Sequence, residues 1–187
     1  MSKLPWVSRM RSRPIISLIG VVALLAAGVF GVIALVGDGS DTVETLEVVN
    51  TAGQYRFEAP NGWSTTQQGR TTTVISPDQA TVITLGVGRT GPLPIAGTLF
   101  FQQVAGNYRD VQVIPPEAKQ VGPRSALVYG GVGSNAQNVR IRFLAITVEN
   151  DPTNYGITVF TADGSDPKTV LPSVNRVVDT FRALPRS

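Results

Sequence analysis

The order of hydrophobic and polar positions divides the chain into one long apolar run and a longer stretch of short alternating segments. Residues 15–36 form 22 consecutive positions without a charged side chain. At about 1.5 Å rise per residue, a helix of this length measures roughly 33 Å, which is enough to cross a hydrocarbon core of about 30 Å. The pattern therefore predicts a transmembrane helix over residues 15–36.

The charges on either side of this run predict its orientation. Four basic residues and no acid lie in residues 1–14, whereas four acids lie between positions 38 and 47. Because basic flanks stay in the cytoplasm, we expect a cytoplasmic tail over 1–14, a single-pass anchor in the cell membrane and an extracytoplasmic C-terminal domain. The alternative is a cleaved signal peptide, but the run exceeds the usual length of about 7–15 residues and ends on Ala34-Leu35-Val36, without a small residue at the cleavage position.

Small residues recur at every fourth position of the predicted helix, at Ala23, Ala27 and Gly31. This spacing lets two membrane helices approach closely, so the stripe is a candidate packing surface for a partner helix. The plainer interpretation is that small residues are common in any membrane helix. The stripe therefore leaves two interpretations open.

A short polar linker over residues 37–45 precedes one predicted domain over residues 46–187. The linker spans at most about 30 Å, which keeps the domain near the membrane. Period-two alternation between Pro and Gly turns predicts strands. The strand segments are Leu46–Val49, Gln54–Ala59, Thr71–Ser76, Ala80–Val87, Val111–Ile114, Ser125–Gly130, Val139–Glu149 and Tyr155–Ala162. Apolar residues three and four positions apart predict helices over 96–108 and 166–184. Asp166-Pro167 suits the start of the second helix, whereas Pro172 leaves open a kinked first turn or a start nearer residue 171.

The order of these elements predicts the fold class. The segment 139–149 is apolar on both faces in its second half, so we expect it to lie centrally in the sheet with helices on both sides. Pro115-Pro116 is expected to end the strand that begins at Val111. Strands, a helix, further strands and a final helix together predict an α+β fold, an α/β/α sandwich with a mostly antiparallel sheet.

Composition and charge remove several classes of function. The chain contains no Cys and no His, which excludes thiolate and imidazole catalysis, disulfides and the usual zinc ligands. The net charge of +3 comes from the N-terminal tail, since 12 basic and 13 acidic residues follow from position 38 onward. A clustered basic face for phosphates is therefore missing from the linear sequence, and we expect no nucleic-acid binding, no cofactor and no enzymatic activity.

Several segments resemble a known family. The sequence Tyr55–Trp63 (YRFEAPNGW) is similar to the opening strand and turn of PsbP-like domains, which include the LpqN-like envelope proteins of mycolic-acid-containing bacteria. Residues 122–129, 156–159 and 177–181 resemble later strands and the closing helix of the same domains. The resemblance covers roughly residues 50–184 and departs from the LpqN type in lacking a lipid-attachment Cys.

The resemblance implies a PsbP-like fold and a role as an accessory or scaffolding subunit of a larger membrane complex of the cell envelope. Some family members bind envelope lipids or assist lipid transporters, which gives a lipid carrier or presenter as the alternative function. The family motifs include no catalytic signature. The expected partner is therefore a membrane protein complex, with lipid as a second possibility.

Three groups of side chains are candidates for contact with a partner or a lipid. Trp63 either recognises a partner or closes one end of the core. Phe100, Phe101 and Tyr108 either line an acyl-chain groove between helix and sheet or belong to the core. Two basic residues on one strand face, Arg140 and Arg142, either bind a phosphate or carboxylate or lie on a solvated surface.

Overall fold

The structure, a computed structural model, describes residues 44–185. The predicted tail, the predicted transmembrane helix, the stripe Ala23, Ala27 and Gly31, and most of the predicted linker lie outside the described residues. Neither helix within residues 44–185 is long and apolar enough to cross a membrane.

Ten strands and two helices follow one another in the described residues. They are β1 (Thr45–Asn50), β2 (Tyr55–Pro60), β3 (Ser64–Gln68), β4 (Thr71–Ile75), β5 (Thr81–Thr90), α1 (Leu93–Ala105), β6 (Arg109–Val121), β7 (Arg124–Ser134), β8 (Arg140–Val148), β9 (Thr153–Ala162), α2 (Pro167–Thr180) and β10 (Arg182–Ala183).

The strands form two antiparallel sheets. Seven strands lie in the order β3-β4-β5-β9-β8-β7-β6, and a small sheet has the order β1-β2-β10. The predicted α+β class with a mostly antiparallel sheet is confirmed. The large sheet carries α1 on one face, and the small sheet and α2 on the other.

Strand β8 shows why both faces of the large sheet are covered. Phe143 and Ala145 belong to the cluster beneath α1, whereas the alternate residues Ile146 and Val148 belong to the main core on the other face. The strand lies between β9 and β7, with three strands beyond β9 and one beyond β7. The prediction of an interior strand with a helix on each side is therefore confirmed.

The main core joins the small sheet, α2 and one face of the large sheet. Tyr55 of β2 lies fully buried within 5.9 Å of the Tyr155 ring and 5.6 Å of the Phe181 ring. Its hydroxyl donates to the Leu85 carbonyl at 3.0 Å and contacts the Thr72 hydroxyl at 2.8 Å. A buried phenol needs such partners, and here they tie the small sheet to the large one.

The edge strand β6 differs from the prediction. The expected end at Pro115-Pro116 is wrong, because β6 continues from Arg109 to Val121. The pairing register with β7 shifts between Ile114 and Glu117, where the prolines lie. Proline is tolerated here because β6 pairs only with β7, so a missing N–H at the bulge breaks no second ladder.

Two further differences lie at β3 and at the end of α2. The segment Ser64–Gln68 is exposed at every position and pairs only with β4, so it carries no hydrophobic alternation from which to predict it. The second helix ends at Thr180, before the predicted Leu184, because Phe181 turns into the main core and β10 then pairs with β2.

The described chain begins at one end of the large sheet, and α1 begins at the other end. Thr45 pairs with Pro60, and β3 starts shortly afterwards at Ser64, which lies in one row with Val82 of β5. The first helix follows Thr90 at the other end of β5. At about 3.3 Å per residue, Val82 and Thr90 are roughly 26 Å apart.

Candidate functional site

The inner face of α1 forms an aromatic layer on the large sheet. Phe101 stacks on Tyr129 of β7 with ring centroids 4.9 Å apart and lies 6.2 Å from Phe143 of β8. Tyr108 stacks on the same Phe143 ring at 5.0 Å, and Phe100 packs against this cluster. The structure thus brings together the three aromatic residues singled out from the sequence. Neither cavity described below is lined by them.

Glycines under the rings make this close stacking possible. A Cβ at Gly131 of β7 would lie 2.5 Å from Cζ of Phe143, and one at Gly156 of β9 would lie 2.8 Å from Cζ of Phe100. Each ring therefore occupies space that a side chain on the strand would need. The layer between α1 and the sheet is filled by the protein's own rings.

The Tyr108 hydroxyl has little acid–base capacity at neutral pH. Burial of the ring raises the pKa of Tyr108 to about 12. The phenol therefore stays protonated at physiological pH, and we assign Tyr108 to packing rather than to proton transfer.

The outer face of α1 is apolar and exposed. Ile95 is 60% exposed and Leu99 is 41% exposed. The helix sequence from Leu93 to Ala105 contains no charged residue, and its outer polar groups are Thr98, Gln102 and Gln103. By contrast, α2 carries Lys168, Arg176 and Asp179. The first helix can therefore be covered by a partner without desolvating a charge of its own.

An open groove of about 410 Å³ lies beside the start of α1. Leu93 and Pro94 form the helix side of the groove, and Ala118 and Leu127 of the β6–β7 hairpin contribute apolar surface. Polar lining comes from Lys119, Gln120 and Ser125. The groove exists because α1 contacts β5, β7, β8 and β9 but leaves this end of the hairpin uncovered. We call Ile95, Leu99 and the groove the α1 surface.

Trp63 lies at the end of the molecule where the chain enters. It follows the turn of Pro60, Asn61 and Gly62, and its backbone N–H donates to the Pro60 carbonyl at 3.2 Å. Gly62 has a φ of 79°, the left-handed region that glycine adopts without strain. The indole is half-buried and packs against the main core.

The two basic residues predicted on β8 share an internal carboxylate. Nε of Arg142 donates to Asp163 at 2.7 Å, and Nε of Arg140 lies 3.3 Å from the other carboxylate oxygen. The Arg142 side chain is only 12% exposed. The arginines therefore lie together as predicted, and Asp163 occupies the position that the sequence suggested for an external anion.

A small apolar cavity lies beneath the first half of α2. Its volume is about 30 Å³, and it is bounded by Leu144 and Val159 of the sheet and by Val170, Leu171 and Val174 of the helix. A space of this size holds one or two water molecules and no acyl chain. Within residues 44–185 no group of three Asp, Glu, His or Cys side chains could hold a metal ion.

Solved structures of other proteins share this architecture, and three of them are described here. No protein-family model matches the sequence, and a comparison with curated proteins finds no match. Cyanobacterial PsbP from Synechocystis sp. PCC 6803 superposes with a TM-score of 0.56 at 17% identity, over 79% of this chain and 97% of that chain. LpqN, involved in cell envelope biogenesis of Mycobacterium tuberculosis, gives 0.55 at 13% identity, over 78% and 93%. The fold is PsbP-like and LpqN-like.

A third match extends the range of sequences that adopt this architecture. The Saccharomyces cerevisiae Ran-binding protein Mog1p superposes with a TM-score of 0.57 at 10% identity, over 76% of this chain and 97% of that chain. At identities this low the likeness concerns the fold alone. The chain therefore has a PsbP-like domain, and its role has to be argued from its own surfaces.

The sequence predicts the PsbP-like fold, but it does not identify which apolar side chains are exposed on the surface. Tyr55 and Phe57 of the family-like motif are fully buried in β2, as their alternation predicts. The predicted helix over 96–108 leaves out Ile95, because α1 in fact spans Leu93–Ala105. Leu99 lies beside the predicted apolar stripe, and its exposure could not be predicted because apolar residues occur on every side of α1. The complete lack of charge in α1 was the available signal.

Proposed function

We propose that this chain is a membrane-anchored, extracytoplasmic accessory subunit that docks on a larger membrane protein complex of the cell envelope. The observation that carries this proposal is the exposed outer face of α1. Ile95 and Leu99 are large apolar residues in contact with solvent on a helix without charge. Exposed apolar groups of this kind beside a groove are typical of protein-binding surfaces.

The energetics of association are compatible with an interface on this helix. Burying an ion costs several kcal/mol unless it is well paired, and α1 has no ion to bury. Removing two large side chains from water contributes about 25 cal/mol per Å² of buried apolar area to the free energy of binding. The α1 surface therefore suits the centre of an interface, with Lys119 and Gln120 at its rim.

The proposed anchor compensates for the small size of this surface. The apolar run over residues 15–36 would hold the domain in the same membrane as its partner, and the linker would limit its range to about 30 Å. Tethering of this kind raises the effective concentration of a partner into the millimolar range. A weak interface is then sufficient for stable association.

The fold comparisons support a binding role without naming the partner. LpqN is described as involved in cell envelope biogenesis, and Mog1p is described as Ran-binding. We therefore propose a non-enzymatic role for this PsbP-like domain as well. The lack of His and Cys removes the side chains most often used for acid–base and nucleophilic catalysis.

A lipid carrier is the second candidate, favoured by the apolar cavity beneath α2. Its volume of about 30 Å³ would have to increase many times before an acyl chain could enter. Native mass spectrometry of the purified domain separates the two functions. Bound lipid on a large fraction of molecules would favour the carrier, and a lipid-free domain would favour docking.

Affinity purification from the protein's own membranes tests docking. The full-length chain in mild detergent is compared with the Ile95→Asp variant and with Val49→Asp, an equally apolar but distant exposed position on β1. We expect Ile95→Asp to lower recovery of the partner complex about tenfold, and Val49→Asp to leave it unchanged. Equal recovery with all three chains would contradict the role of α1.

The proposed topology is tested in intact spheroplasts. External protease should digest residues 44–185 if the domain lies outside the cytoplasm, and the N-terminal tail should remain protected. A C-terminal domain that resists protease until the cells are lysed would overturn the orientation. A mature protein beginning near residue 37 would show that the apolar run is a cleaved signal.

A further inference from the structure

We infer that the edge of the large sheet formed by β3 is a self-association surface, at which a second copy of this chain adds its own β3 in antiparallel orientation about Thr66. The two large sheets then form one continuous sheet across a two-fold axis. The inference concerns β3 rather than the α1 surface, and it does not depend on the proposed docking.

The outer side of β3 has main-chain groups that are able to pair. Gln68 and Thr71 close a two-residue turn in which Gly69 has a φ of 56°, so the main chain of Gln68 pairs with β4. Because hydrogen-bonding groups alternate along an antiparallel ladder, those of Thr65 and Gln67 point away from β4. Within residues 44–185 no further strand pairs with β3. An incoming strand therefore finds free donors and acceptors along this edge.

The sequence of β3 lacks the features by which edge strands commonly avoid such pairing. Native edges are protected by charged side chains, by prolines or by bulges. The segment Ser64–Gln68 contains no charge and no proline, and its register with β4 is unbroken. The opposite edge strand, β6, contains charged residues and two prolines. Of the two edges of the large sheet, β3 is therefore the one suited to accept a strand.

A second copy is favoured as the occupant because β3 is complementary to itself. A two-fold axis at Thr66 places this residue opposite its own mate and places Thr65 opposite Gln67. Every position is neutral, so the symmetric pairing opposes no like charges, and cross-strand pairs of threonines are favourable. The pairing also extends an existing row of threonines across the sheet. That row consists of Thr66, Thr73, Thr84 and Thr158, each directly opposite the next.

Opposite charges meet at both ends of the paired strands. In the same register Arg70 lies opposite Gly62, and the neighbouring Asn61 donates its side-chain amide to Glu44 at 3.0 Å. Arg70 and Glu44 are exposed, and no ion pair among residues 44–185 includes either of them. The two-fold axis brings the two charges together twice. A second copy therefore supplies the opposite charge to each, which a neutral strand of another protein would not.

The contact is small, so we expect the dimer to dissociate on dilution. Two five-residue strands bury much less surface than the roughly 1,200–2,000 Å² of a stable interface. Covalent trapping is therefore the appropriate test, and the absence of Cys from the chain makes each introduced thiol unique. Opposed residues of an antiparallel pair have Cα atoms about 4.5–5.5 Å apart, a distance that a disulfide accepts.

Disulfide trapping tests the register in the full-length chain, purified in mild detergent and oxidised gently at high protein concentration. Thr66→Cys is compared with Gln68→Cys, an exposed position on the same face of β3. The two copies of position 66 are directly opposed, whereas the two copies of position 68 are about 13 Å apart along the strands. We expect about tenfold more disulfide dimer from Thr66→Cys. Co-expressed Ser64→Cys and Gln68→Cys, which oppose each other, should form the mixed dimer.

A charge exchange tests the identity of the partner. Arg70→Glu, added to Thr66→Cys, should lower the yield of disulfide dimer several-fold because two acids then face each other, and adding Glu44→Arg should restore it. Equal yields from Thr66→Cys and Gln68→Cys would overturn the inference. So would a Thr66→Cys thiol that reacts with a maleimide but forms no dimer. A thiol that forms no dimer and is shielded from the maleimide would overturn it as well, since another chain would then occupy the edge.

Discussion

A methyl group added at position 131 would collide with the buried aromatic ring of Phe143. The Gly131 Cα lies beneath Phe143, whose ring is itself stacked between those of Phe101 and Tyr108. At the residue scale this PsbP-like domain is therefore specified as much by the absence of a side chain as by the side chains present. Such positions cannot be recognised from hydrophobic periodicity, because a strand glycine gives no signal about the ring that covers it.

The Gly131→Ala substitution tests this packing. We expect it to lower the free energy of unfolding by about 1–3 kcal/mol, since the new Cβ would lie 2.5 Å from the Phe143 ring. Chemical denaturation of the soluble domain measures the change. Gly86→Ala is the matched control, because its nearest neighbour is the Thr71 hydroxyl at 3.2 Å, which can rotate away. Equal stability of both variants would show that the aromatic layer is loosely packed.

The Glu58 carboxylate predicts an acid-dependent loss of stability. A hydrogen bond from Thr45, together with contacts from Arg176, lowers the pKa of Glu58 below its ordinary value of 4.5. Because the folded pKa is depressed, this stabilisation is present above about pH 4.5 and is lost as the pH falls through the folded value.

Glu58→Gln measures this contribution. We expect the variant to be less stable than the wild type at pH 7 and the difference to shrink as the pH falls below 4.5. The exposed Glu117 of β6, changed to Gln, serves as the comparison. A difference in stability between Glu58→Gln and the wild type that stays constant between pH 7 and pH 3 would contradict this account.

At the scale of elements, the predictions from the sequence are correct where hydrophobic periodicity or turn residues determine the local structure. The interior position of β8, the burial of Tyr55 and Phe57 in β2, and the start of α2 at Asp166-Pro167 agree with the structure. The strands that the sequence did not predict correctly have local sequences that disfavour a strand. The polar edge strand β3 and the proline-containing β6 exist because a neighbouring strand pairs with them.

The start of α2 offers a test at this scale. The Asp166 side chain accepts the Lys168 backbone N–H at 3.0 Å, which satisfies one of the free amides of the first turn. Asp166→Ala should lower the free energy of unfolding by about 1 kcal/mol. Lys168→Ala, which leaves the cap intact, should change it by less than about 0.5 kcal/mol. Similar losses in both variants would argue against capping as the cause.

At the scale of the whole molecule, the domain holds its shape through packing rather than through crosslinks. The chain has no Cys, and within residues 44–185 no three acidic side chains are grouped so that they could hold a metal ion. Asp163 is engaged with Arg140 and Arg142, whereas Glu149 and Asp151 follow the opposite end of β8. No disulfide therefore closes the sandwich.

Chelation should therefore leave the domain unchanged. We expect the melting temperature of the soluble domain to be the same in a calcium chelator and in a calcium-containing buffer, because its acids are too dispersed to enclose a cation. Scanning calorimetry measures the difference. A melting temperature that rises with calcium would contradict this prediction and would reveal a calcium site with oxygen ligands.

The two prolines of β6 have a consequence when this protein is highly concentrated. They divide the free edge of the large sheet into Arg109–Ile114 and Glu117–Val121, and neither proline can offer an N–H to an incoming strand. Val113 and Ile114 beside them are exposed and would otherwise make this edge adhesive. A break of this kind opposes the addition of a strand along the whole edge, which is the step by which sheets polymerise into fibrils.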